Sequence, residues 1–230
     1  MSDKPARHES VLLSIGVNIV IPAVILMKLS GDNALGPAGG LVIALLFPLT
    51  YGLVDFARRR EFNIVSIIGF VSVLLTGGIG LMQLHPKWIA VKEAAVPAVI
   101  GIAVVLSLRT RFPIVRTFLY NDKIIRVREV DAALERNGNR TAFERTLVNA
   151  SWMLAASFFL SACLNFVLAK LIVRSQPGTT AFNEELGRMT ALSYPVIVVP
   201  SMIIMVAALW YLFHRIKRLT DLDLEQILKT

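Results

Sequence analysis

The chain has 230 residues, 55% of them apolar and only 17% charged, yet its formal net charge is +8. With a mean hydropathy of +0.65 and a pI near 10.0, it has too little polar surface to cover a soluble core and too much apolar content for disorder. The single cysteine, Cys163, excludes a disulfide scaffold, which leaves a membrane protein whose charges are confined to short segments.

A spanning helix needs about 20 mostly apolar residues. In chain order, the expected spans are Ser10–Met27, Leu35–Phe56, Phe62–Met82, Trp88–Leu108, Leu147–Ala169 and Tyr194–Phe213. The runs are too long for barrel strands, so the expected fold class is all-α: a polytopic membrane protein, a six-helix transmembrane bundle forming a single domain over residues 1–230. The first run reads as a retained helix rather than a cleaved signal peptide. Its flank Met1–Glu9 mixes both charge signs, and Lys28-Leu29-Ser30-Gly31-Asp32 lacks a small-x-small cleavage pattern.

Between the fourth and fifth spans, residues 109–146 form the longest connection. Ile114, Val115, Phe118 and Leu119, and then Ile124, Val127, Val130 and Leu134, recur at helical spacing, and Asn137-Gly138-Asn139 breaks the chain. One or two short amphipathic helices lying in the headgroup plane, or offered to a partner, are expected. Val173–Ser193 is expected to carry a short surface helix before the last span. The tail after Thr220-Asp221-Leu222-Asp223 is expected to end in a short amphipathic helix through Leu224, Ile227 and Leu228.

Charge orients the bundle. With the N-terminus cytoplasmic, eighteen Lys and Arg fall on the cytoplasmic side and five on the other, so both termini are expected inside. Trp88 and Tyr194 are expected to start helices at the outer boundary, with Trp152, Trp210 and Tyr211 near the inner one. Basic juxtamembrane segments also attract anionic lipid headgroups. The expected partners are therefore the lipid bilayer and its headgroups, other membrane proteins and a second copy of the chain as a homodimer. No nucleic acid is expected, because no binding motif accompanies the charge.

The candidate functional residues are polar or kink-forming positions inside spans. Lys92 lies one turn into the fourth span, where it either snorkels to the headgroups or faces the bundle to hold a carboxylate or an anion. Glu93 projects about 100° away on the same helix, so the two are not expected to pair. Asn18 precedes Pro22 by one turn and suits the carbonyl that Pro22 leaves free. Asn149 and Asn165 are expected to hydrogen-bond between helices or to line a polar path. Pro48, Pro97, Pro195 and Pro200 are expected to kink their helices, and Gly77-Gly78-Ile79-Gly80 to loosen the end of the third. Pro22-Ala23-Val24-Ile25 recurs as Pro97-Ala98-Val99-Ile100, as inverted three-helix halves would require. His8, His85 and His214 lie at boundaries. No catalytic, metal or cofactor-binding set is seen, so no enzyme activity and no cofactor are expected.

From Gly77 to Leu119 the chain resembles the intracellular septation protein A family of small polytopic bacterial inner-membrane proteins. The elements are Gly77-Gly78, Lys87-Trp88-Ile89, Lys92, the apolar run Ala94–Leu108, Arg111-Phe112-Pro113-Ile114 and Phe118-Leu119. Asn149, Trp152, Phe158-Phe159 and Asn165 extend the likeness into the fifth span, while Val91 replaces the family's tryptophan before the lysine. The resemblance implies the bacterial inner membrane and a non-enzymatic role in envelope maintenance and septation through protein partners. The residue pattern also admits a small secondary transporter with a midplane site near Asn18, Pro22, Lys92 and Pro97.

Overall fold

The computed structural model describes residues 16–59, 64–110, 113–120 and 125–229. The flank Met1–Glu9, the start of the first expected span, Arg60, Glu61, Arg111, Phe112 and residues 121–124 lie outside the described residues. The helices are α1 (Gly16–Leu29), α2 (Gly36–Arg59), α3 (Ile64–Leu81), α4 (Lys87–Ser107), α5 (Ile114–Leu119), α6 (Val127–Arg136), α7 (Arg140–Ile172), α8 (Thr180–Thr220) and α9 (Leu224–Ile227). Among the described residues there is no strand, only an isolated antiparallel bridge between Ile125 and Leu228. Four helices are long and apolar enough to cross a membrane: α2 within Gly36–Val54, then α4, α7 and α8. Gly16–Leu29 and Val71–Leu81 are shorter apolar helices.

Two expected boundaries are corrected. The helix expected before the last span is present as Thr180–Ser193, and a π-helical turn, Tyr194–Val198, joins it to Val199–Thr220 in one helical run of 41 residues. Tyr194 therefore begins no helix but opens a π-helical turn, Tyr194–Val198, inside α8. The fifth expected span is likewise the middle of a 33-residue helix.

Proline acts unevenly. Around Pro22, α1 is π-helical at Gly16–Val20, α-helical at Ile21–Val24 and π-helical again at Ile25–Leu29. A residue without an N–H removes one hydrogen bond of the ladder, and the wider π register redistributes its neighbours. Pro195 lies within the π turn of α8. Pro48 and Pro97, by contrast, lie inside uninterrupted α-helices.

The described residues form two compact units, one within 1–93 and 165–196 and the other within 94–164 and 197–230. In the first unit, α2 and α3 pack through small residues. A Cβ on Gly77 would stand 3.0 Å from Leu45, and Gly80 receives Leu41. These glycines do not loosen the end of α3, which stays helical to Leu81; they admit leucines of α2 instead. Residues 180–193 of α8 pack on α1 and α2, burying Phe182, Asn183, Leu186, Gly187 and Met189. Thr179 caps them by accepting from the Phe182 N–H at 3.2 Å. Asn183 donates to the Pro37 carbonyl at 2.6 Å, and Thr180 to that of Ser30 at 3.3 Å.

The second unit has its own apolar core. Val115, Tyr120, Ile125, Val130, Leu134, Phe143, Leu147, Leu212, Ile216 and Ile227 are all buried in it. The amphipathic stripe of α6 is buried within the chain: Val130 and Leu134 are 0% exposed, covered by α8 and α9. The tail closes on this core, with the Arg126 N–H donating to the Ile227 carbonyl at 2.9 Å. The Asn137-Gly138-Asn139 break is a turn, with Gly138 at φ 66°. Asn139 and Asn137 donate to the Leu219 carbonyl at 2.8 and 3.3 Å, which satisfies one of the acceptors left open at the end of α8.

Candidate functional site

The polar site with most chemistry lies between α3 and α4, inside the first unit. Ser72 and Thr76 are four residues apart and share one face of α3. Thr76 Oγ1 donates its O–H back to the Ser72 carbonyl at 3.0 Å, which leaves the hydroxyl's lone pairs free to accept. Lys92, in the second turn of α4, reaches both: Nζ is 2.8 Å from Thr76 Oγ1 and 3.1 Å from Ser72 Oγ. Its third contact is Glu93 Oε1 at 2.7 Å, and the side chains of Lys92 and Glu93 are 8% and 26% exposed. An ammonium carries three N–H donors, so each has an oxygen acceptor supplied by the chain.

This arrangement corrects one expectation. Lys92 and Glu93 do pair, although their Cβ atoms diverge. The divergence fixes only where the side chains start; the four-carbon lysine stem and the two-carbon glutamate stem curve toward each other. Lys92 turns to the neighbouring helix, α3. A cation in an apolar span is costly unless paired and hydrogen-bonded, and here one carboxylate and two hydroxyls meet it. Ser72 and Thr76 were missed by sequence reasoning. Their signal is present all the same: Ser72 and Thr76 stand one turn apart in a mostly apolar run, and Lys92 lies inside the next one.

The other candidates are dispersed. Asn149 donates to the Tyr211 hydroxyl at 3.1 Å, the interhelical hydrogen bond expected of it. Asn165 is half-buried on α7, and Asn18 is half-buried in the first π turn of α1, one turn before the buried Pro22. Pro97 is half-buried on α4. Of the residues expected near a midplane site, Asn18, Pro22 and Lys92 belong to the first unit and Pro97 to the second. A further interhelical bond, from Ser157 Oγ to the Ser201 carbonyl at 2.8 Å, was not expected from the sequence.

Comparisons with protein-family models, with curated proteins and with solved structures return no match.

Proposed function

We propose that the chain is a multi-pass protein of the bacterial inner membrane with both termini cytoplasmic. We propose further that it is non-enzymatic and acts through other membrane proteins in envelope maintenance and septation. The observation that carries this reading is the saturation of Lys92. Its three donors are taken up by Thr76, Ser72 and Glu93, so the residue acts as a clamp between two helices rather than as a ligand-binding cation. The elements of the septation protein A resemblance fall on the same place: Gly77-Gly78 directly follows Thr76 on α3, and Lys92 is the resemblance's lysine. The four membrane-length helices and the two shorter apolar ones support six spans, and the Lys and Arg distribution supports the orientation.

The burial of Val130 and Leu134 removes α6 as a docking face, so partners would meet the outward faces of the spans. Val99 and Ile203 are each 64% exposed. A photo-crosslinking residue placed at either position in the full-length protein, in cells, is expected to give discrete protein adducts, while the same residue at Leu134 gives none. Adducts to lipid alone at both exposed positions would overturn the reading. Reporter fusions at both termini test the topology.

A secondary transporter is the second reading, favoured by the π-helical breaks at Pro22 and Pro195. Such breaks recur at functional sites. Its test is solute-driven current in reconstituted vesicles that Glu93→Gln alters; no current across a panel of ions and small solutes would sink it.

A further inference from the structure

We propose that the basic end of α7 and α8 holds a phosphate-binding site, built on Arg145 and Arg215, for the headgroup of an anionic phospholipid. Three hydrogen bonds set the register of the two antiparallel helices: Ser157 to Ser201, Asn149 to Tyr211 and Asn139 to Leu219. Arg145 lies one turn from Asn149, and Arg215 one turn from Tyr211, in the same direction along the pair. The register therefore sets the two arginines side by side on the face that carries the Asn149–Tyr211 bond.

Like charges so placed call for an anion, and the chain does not supply one. Glu144, the acid next to Arg145, is taken by Arg116 at 3.2 Å. No ion pair to Arg145 or Arg215 occurs among the described residues. The independent observation is at Arg215: its Nε is buried and has no hydrogen-bond partner among the described residues. Buried donors in folded proteins are almost always satisfied, and a guanidinium edge is shaped for the two oxygens of a phosphate. One turn toward the apolar stretch, Trp210 is 67% exposed and stacks on His214 with ring centroids 5.2 Å apart. An exposed tryptophan at this level fits the headgroup boundary of a bilayer, which puts the arginines at the depth of lipid phosphates.

The site rests on the membrane reading above, and the experiment separates the two. Full-length protein is purified in a neutral detergent, and thermal stability is measured on adding cardiolipin, phosphatidylglycerol, phosphatidylcholine or inorganic phosphate. The variants are Arg145→Gln, which changes an exposed side chain, Arg215→Lys, which keeps the charge but loses the Nε donor, and Arg136→Gln as a basic-residue control on α6. Anionic lipid is expected to stabilise the wild type and phosphatidylcholine not to. Arg145→Gln is expected to weaken apparent affinity about fivefold, on the order of one near-surface basic residue, Arg215→Lys to weaken it as well, and Arg136→Gln to leave it unchanged. Stabilisation by inorganic phosphate as well would assign recognition to the phosphate alone; stabilisation by lipid only would assign part of it to the acyl chains. Equal losses in all three variants, or none in any, would overturn the site. Failure of the protein to partition into membranes would overturn the membrane reading but not a phosphate effect in detergent.

Discussion

Thr76 Oγ1 stands 2.8 Å from Lys92 Nζ and donates its own O–H to the Ser72 carbonyl at 3.0 Å, so a hydroxyl in an apolar helix is committed to accepting from a cation on the next one. The energetics of such a site are asymmetric. Removing one partner leaves the other uncompensated, whereas replacing the set with apolar groups of similar size is often neutral or better. Glu93→Gln is expected to lower stability by about 1–3 kcal/mol. Lys92→Met with Glu93→Leu is expected to recover most of that loss. Reversible unfolding in mixed micelles reads both. A double variant no more stable than Glu93→Gln would show that the loss does not come from an uncompensated charge.

Gly187 of α8 lies close against α1. A Cβ there would stand 2.9 Å from the Ala23 carbonyl and 2.8 Å from Met27 Cγ. The methionine side chain can shift but the carbonyl cannot. Gly187→Ala is therefore expected to cost about 1–3 kcal/mol as overpacking, whereas Gly52→Ala, which meets nothing within 4 Å, is expected to change stability little. Melting temperatures of the two variants in the same detergent decide it. Equal melting would mean that residues 180–193 do not pack on α1 as described.

The sequence carried the apolar helices and the turn at Gly138 because both are local signals: a run of apolar residues and a residue free to adopt positive φ. What it did not carry was pairing across helices. The periodicity of Val130 and Leu134 shows that one face of α6 is apolar, but an apolar face can meet lipid, a partner or the rest of the chain, and only the packing of α8 and α9 decides. The packing of residues 180–193 on α1 and α2 was illegible for a related reason. Phe182, Leu186 and Met189 sit among polar residues, so their hydropathy reads as surface, while Asn183 is buried by donating to a carbonyl of α2. The Lys92–Glu93 contact was illegible because backbone angles say where a long side chain begins and not where its charge ends.

Tyr120 supplies a pH-dependent contact in the second unit. Burial, then the Asp131 carboxylate beside it, raises its pKa above the ordinary 10.0, and its hydroxyl donates to Asp131 Oδ1 at 3.0 Å. Arg140, 2.7 Å from the same oxygen, and Arg116 pull the other way but do not prevail. A folded-state pKa above the unfolded one contributes stability that is fully present below the unfolded value and is lost as pH rises through the folded one. Stability is therefore expected to fall above pH 10, and less steeply in Tyr120→Phe. The tyrosinate absorbance of wild type minus that of Tyr120→Phe is expected to titrate above 10. A difference curve at or below that value would contradict the burial of this hydroxyl.

The turn between α6 and α7 holds the end of α8 through side-chain amides, which gives the last prediction. Asn139 donates to the Leu219 carbonyl at 2.8 Å and Asn137 to the same oxygen at 3.3 Å, and Gly138 between them has φ 66°. Asn139→Ala removes the shorter bond and is expected to cost about 1 kcal/mol. Gly138→Ala leaves both amides in place but forces a Cβ into the left-handed region, at about 1–2 kcal/mol. Nothing lies within 4 Å of that Cβ, so the loss is conformational rather than steric, and Gly138→Asn is expected to restore much of it, since asparagine tolerates that conformation. Hydrogen exchange at the amides of residues 216–220 is the direct readout. Faster exchange in Asn139→Ala and Gly138→Ala, with Gly138→Asn near wild type, would establish the turn as the clasp of α8. Unchanged exchange in Asn139→Ala would mean that the Asn139 amide does not hold the helix end, which is left to Asn137 and the apolar core around Leu212 and Ile216.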